Sequence, residues 1–377
     1  MEKFFKVAER GSTPAQEFRA GITTFLAMAY IIAVNPALLA AAGVPISAAI
    51  TATCLGGGVM TILMGLFANR PLACASGMGV NAVVAFSLTP IAGGDWHAAM
   101  AVIFIEGIAI LLLVLCGLRE AIMDAIPVNL RHAISVGLGL FIALIGLKNS
   151  GIIIANESTL VALGDIFSPT FIVGVISIVA TVVLYSARVK GSLLIGIILA
   201  VLIGIPLGVT STPTGVVSGL DFGTFGAPFL TDASGVMGIV KALTTPVLLV
   251  FAFSLMMSDF FDTMGSAMAI AKQGDFLTED GNVKDIKQIL IVDSAAAAAG
   301  GLFGASSITT FIESASGAAD GGRTGLSSVV TGLLFIAAAF IAPLISIVSS
   351  AATCGALVLV GFLMMSEVTE IDWNDLL

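Results

Sequence analysis

From end to end, the chain alternates apolar stretches of about twenty residues with short polar breaks. A stretch of that length is what a helix needs to cross the hydrocarbon core of a bilayer. Composition agrees: 58% of the 377 residues are hydrophobic and only 10% are charged, whereas soluble domains run at roughly a quarter charged. The fold class that follows is an all-α polytopic membrane protein, with the lipid bilayer as its principal partner.

Apolar runs between breaks predict twelve spans, at 18–40, 46–67, 73–90, 98–117, 126–147, 168–187, 191–210, 240–271, 286–303, 304–319, 326–346 and 350–366. Basic residues tend to stay on the cytoplasmic side. With a cytoplasmic N-terminus, thirteen fall inside, namely Lys3, Lys6, Arg10, Arg19, Arg70, Arg119, Arg131, Arg188, Lys190, Lys272, Lys284, Lys287 and Arg323. Only Lys148 and Lys241 fall outside. One missed span would reverse everything downstream of it, so the pattern supports both the count and a multi-pass protein of the plasma membrane. The opening residues lack the short apolar core and cleavage site of a signal peptide, so the N-terminus is expected to be retained.

Two spans are poor continuous helices. The third opens with 69–82, NRPLACASGMGVNA, where Pro71, Gly77 and Gly79 favour an extended segment before a helix start. The tenth opens with 304–317, GASSITTFIESASG, rich in Ser and Thr and β-branched at Ile308 to Thr310. Interrupted spans at corresponding places in two halves point to a transporter's binding site, because their exposed backbone must line a cavity. Ala75-Ser76-Gly77 is similar to Ala305-Ser306-Ser307, a hint that two repeats are present. The organisation expected is a first repeat at 1–210, an extracytoplasmic linker at 211–239 and a second repeat at 240–377.

A carboxylate at mid-membrane costs about 2.5–3.5 kcal/mol on insertion scales, so Glu106, Asp259, Asp262, Asp293 and Glu313 each need a reason to be there. Asp259 and Asp262 share one side of the eighth span. Glu313 follows the start of the interrupted tenth span, and Asn81 is expected at the comparable place in the third. Converging, Asn81, Asp262 and Glu313 would suit a neutral ring bearing N–H groups and a carbonyl. Ile312, beside Glu313, and the aromatic rings Phe260, Phe261 and Phe311 are candidate neighbours of such a ring, against a plain packing role. Asp262, Glu313 and Asp259 are the candidates for carrying a coupling proton. Glu106 and Asp293 are read as structural, and Asp259 as divided between the two roles.

Other features are read as structural. His97 and His132 lie near loop ends and are expected to be solvated, making no metal cluster. Cys54, Cys74, Cys116 and Cys354 have no ligand spacing and read as buried free thiols. The segment at 321–325, GGRTG, lacks the ending of a phosphate loop and reads as a cytoplasmic turn. No catalytic motif is visible, so an enzyme is not expected. The net charge of −9, without a basic patch, disfavours a nucleic-acid partner.

At these residues the sequence resembles the nucleobase:cation symporter 2 family, in its AzgA-like branch of purine permeases for adenine, guanine and hypoxanthine. The resemblance runs through 20–36 (AGITTFLAMAYIIAVNP), 75–82 (ASGMGVNA), 258–266 (SDFFDTMGS), 309–317 (TTFIESASG) and 321–326 (GGRTGL). It implies a 7+7 inverted-repeat transporter fold with core and gate domains, and substrate held between the third and tenth spans. It further implies binding by Gly79, Asn81, Asp262 and Glu313, a purine nucleobase as substrate, no cofactor, and a proton as coupling ion. A xanthine or uracil permease, an anion transporter of related architecture, sodium coupling and a homodimer stay open as alternatives. The sequence departs from the family in Ser76 before Gly77 and in the turn Gly304-Ala305-Ser306. Against fourteen implied spans twelve are read, so the chain is expected to lack the last two, which belong to the gate; a membrane nucleobase binder that does not transport is then a further alternative.

Overall fold

The computed structural model describes residues 2–117, 128–213, 215–231, 235–279 and 282–373. Arg119, assigned above to the cytoplasmic side, lies outside these residues, as do the first two residues of the fifth predicted span. Eight helices among the described residues are long and apolar enough to cross a membrane.

Each predicted span has a counterpart. Span 1 is Pro14–Met28 continued as Ile31–Ala41, started by Thr13, whose hydroxyl accepts from the Gln16 amide, and by Pro14 at the first helical position. Spans 2 and 4 are Ile46–Phe67 and Trp96–Leu115. Span 5 is Val128–Asn149, span 6 Pro169–Ser186 and span 7 Ser192–Gly204. Spans 8, 9, 11 and 12 are Pro246–Gln273, Ile286–Phe303, Gly325–Ala338 extended to Ile345, and Cys354–Met365. The eighth was expected to begin at 240. Instead a separate short helix, Gly238–Thr244, ends at extended Thr245, because Pro246 disfavours helical geometry in the residue before it.

Among the described residues four short strands complete the fold: β1 (Cys74–Ser76), β2 (Ile153–Asn156), β3 (Leu160–Leu163) and β4 (Ile308–Thr310). β2 and β3 form an antiparallel hairpin between spans 5 and 6 that the sequence reading did not anticipate. β1 and β4 are the unwound openings of spans 3 and 10, and they pair antiparallel with Ala75 opposite Thr309. Beyond the strands, the Gly77 amide donates to the Ser307 carbonyl and the Phe311 amide to the Ala73 carbonyl, each at 2.9 Å. Two broken spans thereby satisfy one another's backbone at a depth where no water could. After β1 the third span resumes as Met78–Val83, passes through a π-helical turn at Val84–Leu88 and ends at Ile91.

These bonds define a local two-fold relation that exchanges the two halves. It carries Ala73 onto Ser307 and Gly77 onto Phe311, and therefore Gly79 onto Glu313 and Asn81 onto Ala315. The similarity of Ala75-Ser76-Gly77 to Ala305-Ser306-Ser307 is thus out of register, and Gly79 rather than Asn81 stands where Glu313 stands. Helix packing obeys the same exchange: span 2 packs on 11 as span 9 packs on 4, and span 1 on 11 as span 8 on 4. Spans 1–4 and 8–11 make the core, while spans 5, 6, 7 and 12 pack on one another as the gate.

Lipid supplies little hydrophobic drive between helices, so close approach at small residues holds such a bundle. A Cβ on Gly65 would lie 2.4 Å from the Gly325 carbonyl oxygen, and one on Gly325 only 1.8 Å from that of Gly65. Gly139 and Gly361 make the same kind of contact between spans 5 and 12.

Several of the basic residues assigned to the cytoplasmic side are held in ion pairs. Arg70 pairs with Asp285, Arg323 with Asp275, and Lys190 with Asp320, whereas Lys241, assigned outside, pairs with Asp95. Cys54, Cys74 and Cys354 are buried free thiols, but Cys116 is exposed just past the end of span 4.

Candidate substrate site

A cavity of about 600 Å³ opens where the β1–β4 pair meets span 8 on the core side and spans 5 and 12 on the gate side. Its size is in the range of small-molecule sites. Gly79, Asp259, Phe261, Asp262, Ile312 and Glu313, all singled out from sequence, line it. Asn81 does not; its side chain is wholly buried behind the lining, and neither amide atom has a hydrogen-bond partner among the described residues. Phe311 also lines the cavity, whereas Phe260 packs away from it with Ile110, Val114 and Leu290.

Local structure explains why these residues converge. Asp259 and Asp262 stand on the same side of span 8. Glu313 is the residue immediately before the short helix Ser314–Ala319, so its carboxylate leaves the chain in the link between β4 and that helix. Asp262 has Glu313, Asp293 and Glu367 as acidic neighbours. The Tyr30 hydroxyl, from the break in span 1, donates to Glu313 Oε1 at 2.6 Å. The sequence reading passed over Tyr30, although a lone phenol in an apolar span is a signal in itself, since a buried Tyr O–H needs a partner.

Asp293 is structural, as expected. Its carboxylate accepts from the Thr310 amide and hydroxyl and from the hydroxyls of Thr263 and Thr309. It ties β4 to spans 8 and 9 and stays off the cavity wall. Glu106 is also buried in span 4, with Asp259 its electrostatic neighbour and no hydrogen-bond partner among the described residues. His132 was expected to be solvated. It instead faces the cavity and lies 3.2 Å from Glu367, which follows the end of span 12 and lines the same cavity. His97 is likewise not free in solvent; it stacks on Trp96 and lies 3.0 Å from Asp95.

The cavity is walled by the carboxylates of Asp259, Asp262 and Glu313, by the paired half-strands and by aromatic rings. Fold and site together define a secondary transporter of the inverted-repeat class. The transmembrane domain of a cyanobacterium bicarbonate transporter, BicA, superposes with a TM-score of 0.71 at 16% identity, over 96% of this chain and 91% of that one. That likeness establishes the fold. A model described as "Permease family" matches residues 15–377. The chain is 38% identical to the adenine permease AdeP of Escherichia coli over all of this chain and 82% of the relative. It is equally 38% identical to the guanine/hypoxanthine permease PbuG of Bacillus subtilis, over 99% of this chain and 86% of that one. The nucleobase transporter PlAzg2 of Paenibacillus larvae is 34% identical over 95% of this chain and 70% of its own. The chain belongs to the permease family, in its nucleobase:cation symporter 2 group.

Proposed function

We propose that the protein imports a purine nucleobase, hypoxanthine, guanine or adenine, by proton symport. The observation that carries this reading is the placement of Asp262 and Glu313 on one cavity wall beside the paired half-strands, together with the purine permeases among its relatives. In this reading the purine ring N–H groups donate to Glu313 and Asp262, while the helix start at Met78 and Gly79 meets the ring carbonyl or an unprotonated ring nitrogen. Phe261, Phe311 and Ile312 supply apolar faces against which the ring lies flat. A proton carried on one of Asp259, Asp262 and Glu313 accompanies the base, since a carboxyl group inside a membrane is held neutral at lower cost than charged. Asn81, buried off the cavity wall, does not touch the base in this reading. The acidic wall weighs against an anion such as that carried by the structural neighbour.

The test is uptake of radiolabelled hypoxanthine, guanine, adenine, xanthine and uracil in cells lacking their own permeases, with and without a protonophore. Protonophore-sensitive uptake of a purine, lost in Glu313→Ala, is the expected result. Preferential uptake of xanthine or uracil would move the chain to a different substrate class. Binding without counterflow would make it a receptor for the base.

A further inference from the structure

We infer that Tyr30 is a positioning residue for the site: its hydroxyl holds one oxygen of Glu313 so that the other is presented to the purine. This rests on the purine reading above and adds a residue that acts through Glu313. Span 1 breaks at the two residues between Met28 and Ile31, and Tyr30 occupies that break with its ring wholly buried among Met28, Ile31 and Val34. Its hydroxyl reaches the cavity wall, and its 2.6 Å bond to Glu313 Oε1 has the length of a charge-assisted O–H···O contact.

Glu313 needs such an anchor. It stands three residues past the end of a three-residue strand, directly ahead of a six-residue helix whose amides its side chain does not cap. Within its own element the side chain meets only its own backbone amide, so among the described residues the one side chain that bonds it is Tyr30. A Glu side chain ordered only on binding charges that ordering against affinity. With Oε1 held from behind by a rigid buried phenol, Oε2 is oriented before the base arrives. The contribution is therefore to ground-state and transition-state binding alike, and its loss should raise KM with kcat little changed.

The experiment measures binding and uptake for the wild-type chain, Tyr30→Phe, Glu313→Asp and the double variant, using whichever of hypoxanthine, guanine and adenine the wild type takes up. Phenylalanine keeps the ring and removes only the hydroxyl, and aspartate keeps the charge but withdraws it by one methylene from Tyr30. Expected for Tyr30→Phe is a rise in Kd and KM of about tenfold, the scale of one lost hydrogen bond to a charged group, with kcat within about twofold. In the Glu313→Asp background the same change should cost less than about twofold. Wild-type affinity in Tyr30→Phe, or an equal loss in both backgrounds, overturns the inference. If Tyr30→Phe does not give a monodisperse protein, Tyr30→Met, apolar and of similar length, is carried through the same cycle. Wild-type protein that takes up none of the three bases refutes the purine reading itself, and the positioning role falls with it.

Discussion

The carboxylate of Asp293 accepts both the backbone amide and the side-chain hydroxyl of Thr310, each at 2.7 Å. One buried acid thus grips a half-strand that has only three ladder residues of its own. Removing it would leave the Thr310 amide and hydroxyl short of their partner, each unsatisfied group costing about 1–3 kcal/mol, while Thr263 and Thr309 keep their bond to one another. Asp293→Ala should therefore lower the melting temperature of the detergent-purified protein by several degrees and reduce uptake of every base by the same factor. A selective change in preference for one base, with stability intact, would place Asp293 in the site rather than behind it.

Close packing of span 2 on span 11 yields a second prediction. Gly65 and Gly325 face one another with no room for a Cβ on either, so Gly325→Val forces two helices apart. Overpacking of this kind costs about 1–3 kcal/mol. The variant should elute as an aggregate or melt early in fluorescence-detected gel filtration. Leu333→Ala, on the same helix but 56% exposed, should behave as the wild type.

How much of this was legible in the sequence differs by element. Span number and parity were readable because each span is an apolar run that must end in a charged or Gly/Pro break, and Lys and Arg obey the sidedness of the bilayer. Asp262 and Glu313 were readable because an acid inside such a run has no innocent explanation in its own helix. The partner of Tyr30 was not, since the two residues are 283 positions apart and only the fold brings them together. Asn81 was misplaced relative to Glu313 for a related reason: the exchange of the two halves is fixed by backbone hydrogen bonds between β1 and β4, which carry no side-chain signature. The hairpin of β2 and β3 escaped because its apolar strands lie between two membrane spans and read as their fringe.

Acidity offers a third test, at the cytoplasmic end. Asp320, outside the spans, receives bonds from Lys190 and from the Thr23 hydroxyl. Burial pushes its carboxyl up, but the Lys190 ammonium and Thr23 outweigh that and hold it below the usual carboxylate range. A depressed carboxyl stabilises the contact above its unfolded pKa and ceases to do so as pH falls through the folded value. The link between the loop ahead of span 7 and the end of span 10 should therefore persist at neutral pH and loosen only in strong acid. Lys190→Gln should speed proteolysis of that loop at pH 7. Equal protection in Lys190→Gln and wild type would count against the contact.

The last prediction concerns the boundary between core and gate. Gly79 lines the cavity from span 3, and a Cβ placed there would lie 3.3 Å from Leu138 Cδ1 on span 5. The contact is with the end of a flexible side chain, so Gly79→Ala can be absorbed by a small turn of Leu138, with uptake reduced about twofold to fivefold, or roughly 0.4–1 kcal/mol. Gly79→Val cannot be absorbed in this way, because its branched methyl groups would fill the part of the cavity between span 3 and span 5, where the proposed site lies. Uptake in Gly79→Val should fall below detection while the protein still folds, since the clash is with a cavity wall and not with a packed backbone. Truncating the opposing side chain should then recover transport, so the informative variant is Gly79→Val combined with Leu138→Ala, assayed for uptake and for binding. Recovery in the double variant locates the obstruction between these two residues. If the double variant stays inactive although it binds the base, Gly79 matters for the movement of core against gate, and the steric account of this position is wrong.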